Sequence, residues 1–141
     1  MSEELGSKLR WAIEEGWNKG NLDAWNKVYA ADYVHHRPPF GDFESLEAEK
    51  QFVAGTLSAF TESQFTIHEM IAEGNTTVTR WTWRAKHTGQ SPTLPFPPTG
   101  KQVTLVGCLV SRWGDGKIVE EWEYSDYLGF LQQLGVIPSL G

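Results

Sequence analysis

Two strand-like segments of this 141-residue chain carry aromatic and ionisable residues in alternation, and alternation puts side chains on a common sheet face. In the first, Trp81, Trp83, Ala85 and His87 share one face, opposite Arg80, Thr82, Arg84 and Lys86. In the second, Trp122, Tyr124 and Asp126 fall together, opposite Glu121, Glu123 and Ser125. If the charged sets are solvated, both aromatic sets point inward and each ends in an ionisable group. A carboxylic acid and an imidazole in an apolar pocket can move protons. Trp81, Trp83, Trp122 and Tyr124 are then the expected ligand-contacting wall. Tyr33 and His36, on an earlier short strand, are further candidates for ligand contact, with His35 and His36 facing opposite sides.

Each of these residues has a plainer reading. An Asp that follows a strand often caps the next helix, and Tyr127 to Leu134 offers one. A lone His at a strand end serves as a hydrogen-bonded structural residue, and a Trp stripe stabilises a small core without any ligand. Other chemical templates are missing. The sequence has no Gly-rich phosphate loop, no nucleophile elbow and no two-His helical zinc motif. Adjacent His35 and His36 on a strand chelate one ion poorly, so a metal site is not expected. Opening an epoxide would take a second inward acid and an Arg around a water, whereas Arg80 and Arg84 fall opposite His87.

The elements that must position these groups follow from periodicity. Glu3 to Trp17 repeats Leu5, Leu9 and Ile13 at helical spacing. Gly16 and the run Asn18 to Asn21 close this helix, and Asn21 is placed to cap a short second one through Leu22, Trp25 and Val28. Tyr33 to Arg37 reads as a strand stopped by Pro38 and Pro39, and Glu44 to Phe60 as a helix. The period then changes to that of strands over Gln64 to Glu73, Thr76 to His87, Gln102 to Trp113 and Lys117 to Tyr124. Gly74-Asn75 and Gly114-Asp115-Gly116 make hairpins, the proline-rich stretch Gly89 to Gly100 is a loop, and Tyr127 to Leu134 closes as a helix. Helices first and a meander afterwards give an α+β fold, one domain over residues 1–141.

Composition narrows the partners. Apolar residues make up 40% and charged residues 21%, a mixture that buries a core. Lys plus Arg number 12 against 18 Asp plus Glu, a net charge of −6, which repels nucleic acid and anionic membranes. The single cysteine, Cys108, forms no internal disulfide. With no signal-like amino end and no apolar run of ~20 residues, the expected location is the cytoplasm. Val103, Leu105 and Leu109 on one strand face, and Val106, Cys108 and Val110 on the other, are more apolar surface than one pocket covers. A homodimer is expected to bury the outer face.

In order and spacing, several fragments resemble the SnoaL-like polyketide cyclases (ester cyclases) of the nuclear transport factor 2-like superfamily. They are Trp17-Asn18-Lys19-Gly20-Asn21-Leu22-Asp23, Tyr33-Val34-His35-His36, Ile71-Ala72-Glu73-Gly74-Asn75 and His87-Thr88-Gly89, then Pro98-Thr99-Gly100-Lys101, Gly116-Lys117-Ile118-Val119-Glu120 and Leu131-Gln132-Gln133-Leu134-Gly135. The resemblance implies a cone-shaped curved antiparallel sheet packed on amino-terminal helices, with a deep apolar pocket. It also implies a homodimer or higher oligomer, and ring closure by intramolecular aldol condensation on a small apolar carbonyl compound without metal or organic cofactor. Through it, Asp126 matches the family's acid–base residue and His87 the His of its His-Thr-Gly segment. The loop Gln90 to Pro98 departs from the antibiotic cyclases. Two other functions share the fold: a non-catalytic ligand-binding or assembly domain, and an epoxide hydrolase.

Overall fold

The computed structural model describes residues 2–139. Helix α1 (Ser2–Ile13) runs on into a wider turn over Glu14–Asn18, and a tight helical turn over Leu22–Lys27 follows. Strands β1 (Tyr29–Arg37) and β2 (Gly41–Phe43) precede α2 (Leu46–Ala59). Then come β3 (Phe60–Glu73), β4 (Thr76–His87), β5 (Gln102–Gly114), β6 (Lys117–Ser125) and α3 (Tyr127–Leu134). The six strands form one curved, unclosed sheet in the order β2-β1-β6-β5-β4-β3. The expected α+β class and the β3-to-β6 meander are both present.

Four features depart from the sequence expectation. Strand β1 begins at Tyr29 rather than Tyr33 and pairs parallel with β6, joining the first strand to the last. Strand β3 begins directly after α2, at Phe60 rather than Gln64. Gly16 does not close the helix. It lies under the Trp25 indole, where a Cβ would collide with the ring, and Trp25 donates to Ala12 O at 2.7 Å. Nor does the Asn21 side chain cap the turn that follows it; its amide donates to Glu15 Oε1.

The core lies between the helices and the concave face of the sheet. Leu9, Ala12 and Ile13 of α1, with Leu46 and Val53 of α2, pack toward Trp81, Trp83, Val103, Leu105 and Leu109. The β5–β6 hairpin turns on Asp115 and Gly116, both with positive φ (52° and 79°), as a tight hairpin requires.

One irregularity decides the faces of β6. Trp113 pairs with Ile118 but Arg112 pairs with Glu120, so Val119 is an extra residue on β6. Such a bulge flips every side chain beyond it to the other face. Ile118 therefore points inward, and so do Glu121 and Glu123, which are buried, while Tyr124 is 57% exposed. The expectation that Trp122 and Tyr124 face inward is corrected accordingly. Among the described residues no helix is long and apolar enough to cross a membrane.

Candidate functional site

A cavity of about 530 Å³, counting its open mouth, lies between α2, α3 and the concave sheet face. Its wall is aromatic: Trp17, Phe60, Phe65, Trp81, Trp83 and Phe130. Trp17 reaches it because Asn18 clamps the chain to β3, accepting from Phe65 N at 2.7 Å and donating to Phe65 O at 3.0 Å. Trp17 then stacks on Phe65 and meets Trp83 edge-on, with ring centroids 5.6 and 5.8 Å apart. The Trp83 indole N–H donates to Ser63 Oγ at 2.8 Å. The buried Trp81 N–H makes no hydrogen bond.

Ser91, Thr93 and Leu94 of the proline-rich loop complete the mouth. Gln90 holds that loop, its amide within 3.1 to 3.3 Å of the carbonyls of Ser91, Leu94 and Phe96. Gly55 lets Pro92 close on α2, since a Cβ there would lie 2.7 Å from the proline ring.

The opposite wall is ionic. Arg37, Glu123 and Tyr127 line it. Arg37 grips both oxygens of Glu49, through Nη1 to Oε1 and through Nη2 to Oε2 at 2.7 Å. It also donates to Glu123 Oε1 from Nη2 at 2.9 Å and from Nε at 3.2 Å. The same Oε1 lies 2.9 Å from His35 Nε2. His35 and Arg37 thus both engage Oε1, and Oε2 is the oxygen they leave. Behind the wall, His35 Nδ1 lies 3.2 Å from Glu121 Oε1, and Ser111 donates to Glu121 Oε2 at 2.7 Å. The guanidinium also sits over the Phe52 ring at 4.4 Å.

Charge decides how these groups titrate. Burial alone would raise the Glu123 carboxyl, but the Arg37 charge and the His35 hydrogen bond prevail and hold it at about 2. Burial would lower His35, yet the carboxylates around it, Glu49 foremost, raise it to about 9. Glu121 has no such rescue: burial raises it, and His35 and Ser111 offset only part. Burial, then the nearby Glu123 charge, raises the Tyr127 phenol, which stays a hydrogen-bond donor at neutral pH.

Of the sequence candidates, Trp81 and Trp83 lie in the cavity wall. His87 lies behind it, stacked on Phe60 at 4.7 Å, and Phe60 rather than His87 lines the cavity. His87 Nδ1 accepts from Thr99 N at 3.2 Å, so the neutral ring carries its proton on Nε2, and burial favours that neutral form. Tyr33 is buried beneath His35, its hydroxyl 3.4 Å from Nδ1. His36 is on the convex face, bonded to Asp42 and Glu120 and stacked on Trp122 at 5.4 Å; the Arg112 guanidinium also lies over that indole, at 5.2 Å. Asp126 is exposed and caps α3, accepting from Gly129 N at 2.9 Å. That is the helix-cap arrangement, and it corrects the expected pocket position of Asp126.

The sequence reading missed His35, Arg37, Glu49, Glu123 and Tyr127. A signal for part of this set was present: His35-x-Arg37 and Glu121-x-Glu123 place complementary charges at strand spacing. Among the described residues no set of His, Cys, Asp and Glu is arranged to hold a metal ion, and the cluster's carboxylates are taken up by Arg37 and His35.

The model of the SnoaL-like polyketide cyclases matches residues 7–134. The chain belongs to that family. Solved structures agree with the assignment. A candidate polyketide cyclase from Acidithiobacillus ferrooxidans is 29% identical, with TM-score 0.81 over 96% of each chain. A candidate SnoaL-like cyclase from Jannaschia sp. CCS1 is 19% identical, with TM-score 0.86 over 97% of this chain and 95% of its own. An LEH-like epoxide hydrolase from M. tuberculosis is 16% identical with TM-score 0.73, over 94% of this chain and 90% of its own. At that identity it is a likeness of fold alone. Among curated proteins none matches the chain. A fold does not fix a reaction, so the reaction must be argued from the cavity.

Proposed function

We propose that this SnoaL-like protein is a cyclase-type enzyme performing acid–base chemistry on a small apolar carbonyl compound, with Glu123 as the proton carrier. The supporting observation is a carboxylate on the wall of an aromatic cavity, with one oxygen fixed by Arg37 and His35. An aldol ring closure needs a base to remove a proton beside a carbonyl and an acid to protonate the new alkoxide. Glu123 serves both steps by returning the proton it takes.

A carboxylate held at about 2 is a weak base. The carbon acid must therefore be doubly activated, as it is between two carbonyls of a polyketide. The Tyr127 phenol, on the cavity wall, supplies a donor for an oxygen on which negative charge develops. In this reading Asp126 is a helix cap and His87 supports Phe60. Glu123→Gln should abolish turnover of a β-diketone substrate found by thermal-shift screening, with the fold retained.

Arg37 between Glu49 and Glu123 favours a second reading, epoxide opening by water, because it supplies the Arg and paired acids that Arg80 and Arg84 could not. Turnover of cyclohexene oxide, and none of β-diketones, would establish it.

The convex face is assigned to a second copy of the chain. Val106 and Tyr124 are exposed there, beside exposed Cys108, which pairs with Tyr124 on β6 and with Arg80 on β4. Light scattering should give twice the chain mass, and 15.9 kDa at all concentrations would contradict the pairing.

A further inference from the structure

The buried cluster holds three carboxyl groups, Glu49, Glu121 and Glu123, against two cations, Arg37 and the His35 imidazolium. All five residues are buried. With every carboxyl ionised the set would carry one uncompensated negative charge away from water, which proteins avoid by neutralising a group.

The hydrogen bonds point to the group concerned. Arg37 is committed to both oxygens of Glu49 and to Glu123. His35 makes its shorter contact with Glu123, at 2.9 Å, against 3.2 Å to Glu121. Glu121 has only that longer contact and the Ser111 hydroxyl at 2.7 Å, an oxygen that can equally accept a hydrogen bond from a protonated Glu121.

We propose that Glu121 is carried as the neutral carboxylic acid, a positioning residue whose one proton lets Arg37 and His35 balance Glu49 and Glu123. The functional part rests on Glu123 as the base. Losing the Glu121 proton would place a second negative charge behind His35 and pull the imidazolium from Glu123, so the fixed orientation of Oε1 depends on it. The groups that face Glu121 agree. Tyr29, Tyr33 and His35 come from β1, Glu49 from α2, Ser111 from β5 and Glu123 from β6. Of these only His35 is a cation, and it is shared. Burial raises the Glu121 carboxyl above its ordinary range.

Infrared spectroscopy of the full chain at pH 7 tests this without any ligand. The wild-type spectrum should contain a carboxylic acid C=O band, lost in Glu121→Gln and shifted in Ser111→Ala. Glu121→Gln should fold with an unchanged melting temperature, because an amide reproduces a neutral acid. In turnover assays it should keep kcat and KM within about threefold, while Glu121→Ala, which loses the contact to His35, should lower kcat about tenfold. No acid band in the wild type, a band that survives Glu121→Gln, or a Gln variant that does not fold would overturn the proposal. The spectrum is independent of turnover, so the Glu121 proton can fail while Glu123→Gln still abolishes activity, and the reverse.

Discussion

The two walls of the cavity solve burial in opposite ways. The β3–β4 side is an aromatic surface in which Trp17, Phe65, Trp81 and Trp83 lean on one another. Its energy comes from area and shape, which many arrangements supply. The β1–β6 side is an ionic lattice in which every member depends on the others, because each buried charge is tolerable only while its partner is present. The aromatic wall should absorb substitutions gradually, and the ionic wall should fail abruptly. The wall that costs most to perturb is also the one that carries Glu123, the proposed proton carrier.

The largest expected effect follows from removing the cation the lattice shares. Arg37→Met keeps the side chain's bulk but strands Glu49 and Glu123, and should cost about 4 kcal/mol in chemical denaturation. A cost below about 1 kcal/mol would mean that the walls do not differ.

Next comes pH. His35 is raised from an ordinary 6.5 to about 9, so its contribution is complete below 6.5 and is lost as pH rises through 9. Glu123 is lowered from 4.5 to about 2, so its share is complete above 4.5 and is lost as pH falls through 2. Denaturation midpoints should fall by the equivalent of roughly 3 kcal/mol between pH 6.5 and 10, and His35→Gln should flatten that slope. A wild-type slope that His35→Gln leaves intact would place the alkaline titration elsewhere.

Two smaller effects sharpen the contrast. Asp126→Ala removes the α3 cap and should cost about 1 kcal/mol without changing turnover. Trp81→Phe removes an N–H that has no partner in the protein and should cost less than about 1 kcal/mol. A loss comparable to that of Arg37→Met would show the aromatic wall to be equally unforgiving.

The same division explains what could be seen in the sequence. On β4 the apolar residues do face inward, so alternation located Trp81 and Trp83 correctly. On β6 the rule that charge faces water met a buried charge lattice, and the extra residue Val119 shifted the parity. Anchoring alternation at Ile118 without that bulge turns Trp122 and Tyr124 inward and hides Glu121 and Glu123. The complementary pairs on β1 and β6 become meaningful only once these strands are neighbours, and their parallel pairing is a long-range fact that local periodicity does not contain. Asp126 shows the reverse case: a cap signal legible from the following helix competed with a catalytic one, and the backbone of Gly129 decided it.

The central claim is that the proton carrier is Glu123 on the cavity wall and not Asp126 at the helix cap. Turnover of one β-diketone substrate by Glu123→Gln and Asp126→Asn, measured side by side with melting temperatures, tests it most directly. The account predicts at least a hundredfold loss of kcat for Glu123→Gln and a rate within about threefold of wild type for Asp126→Asn. The opposite pattern, with both variants folded, would contradict it.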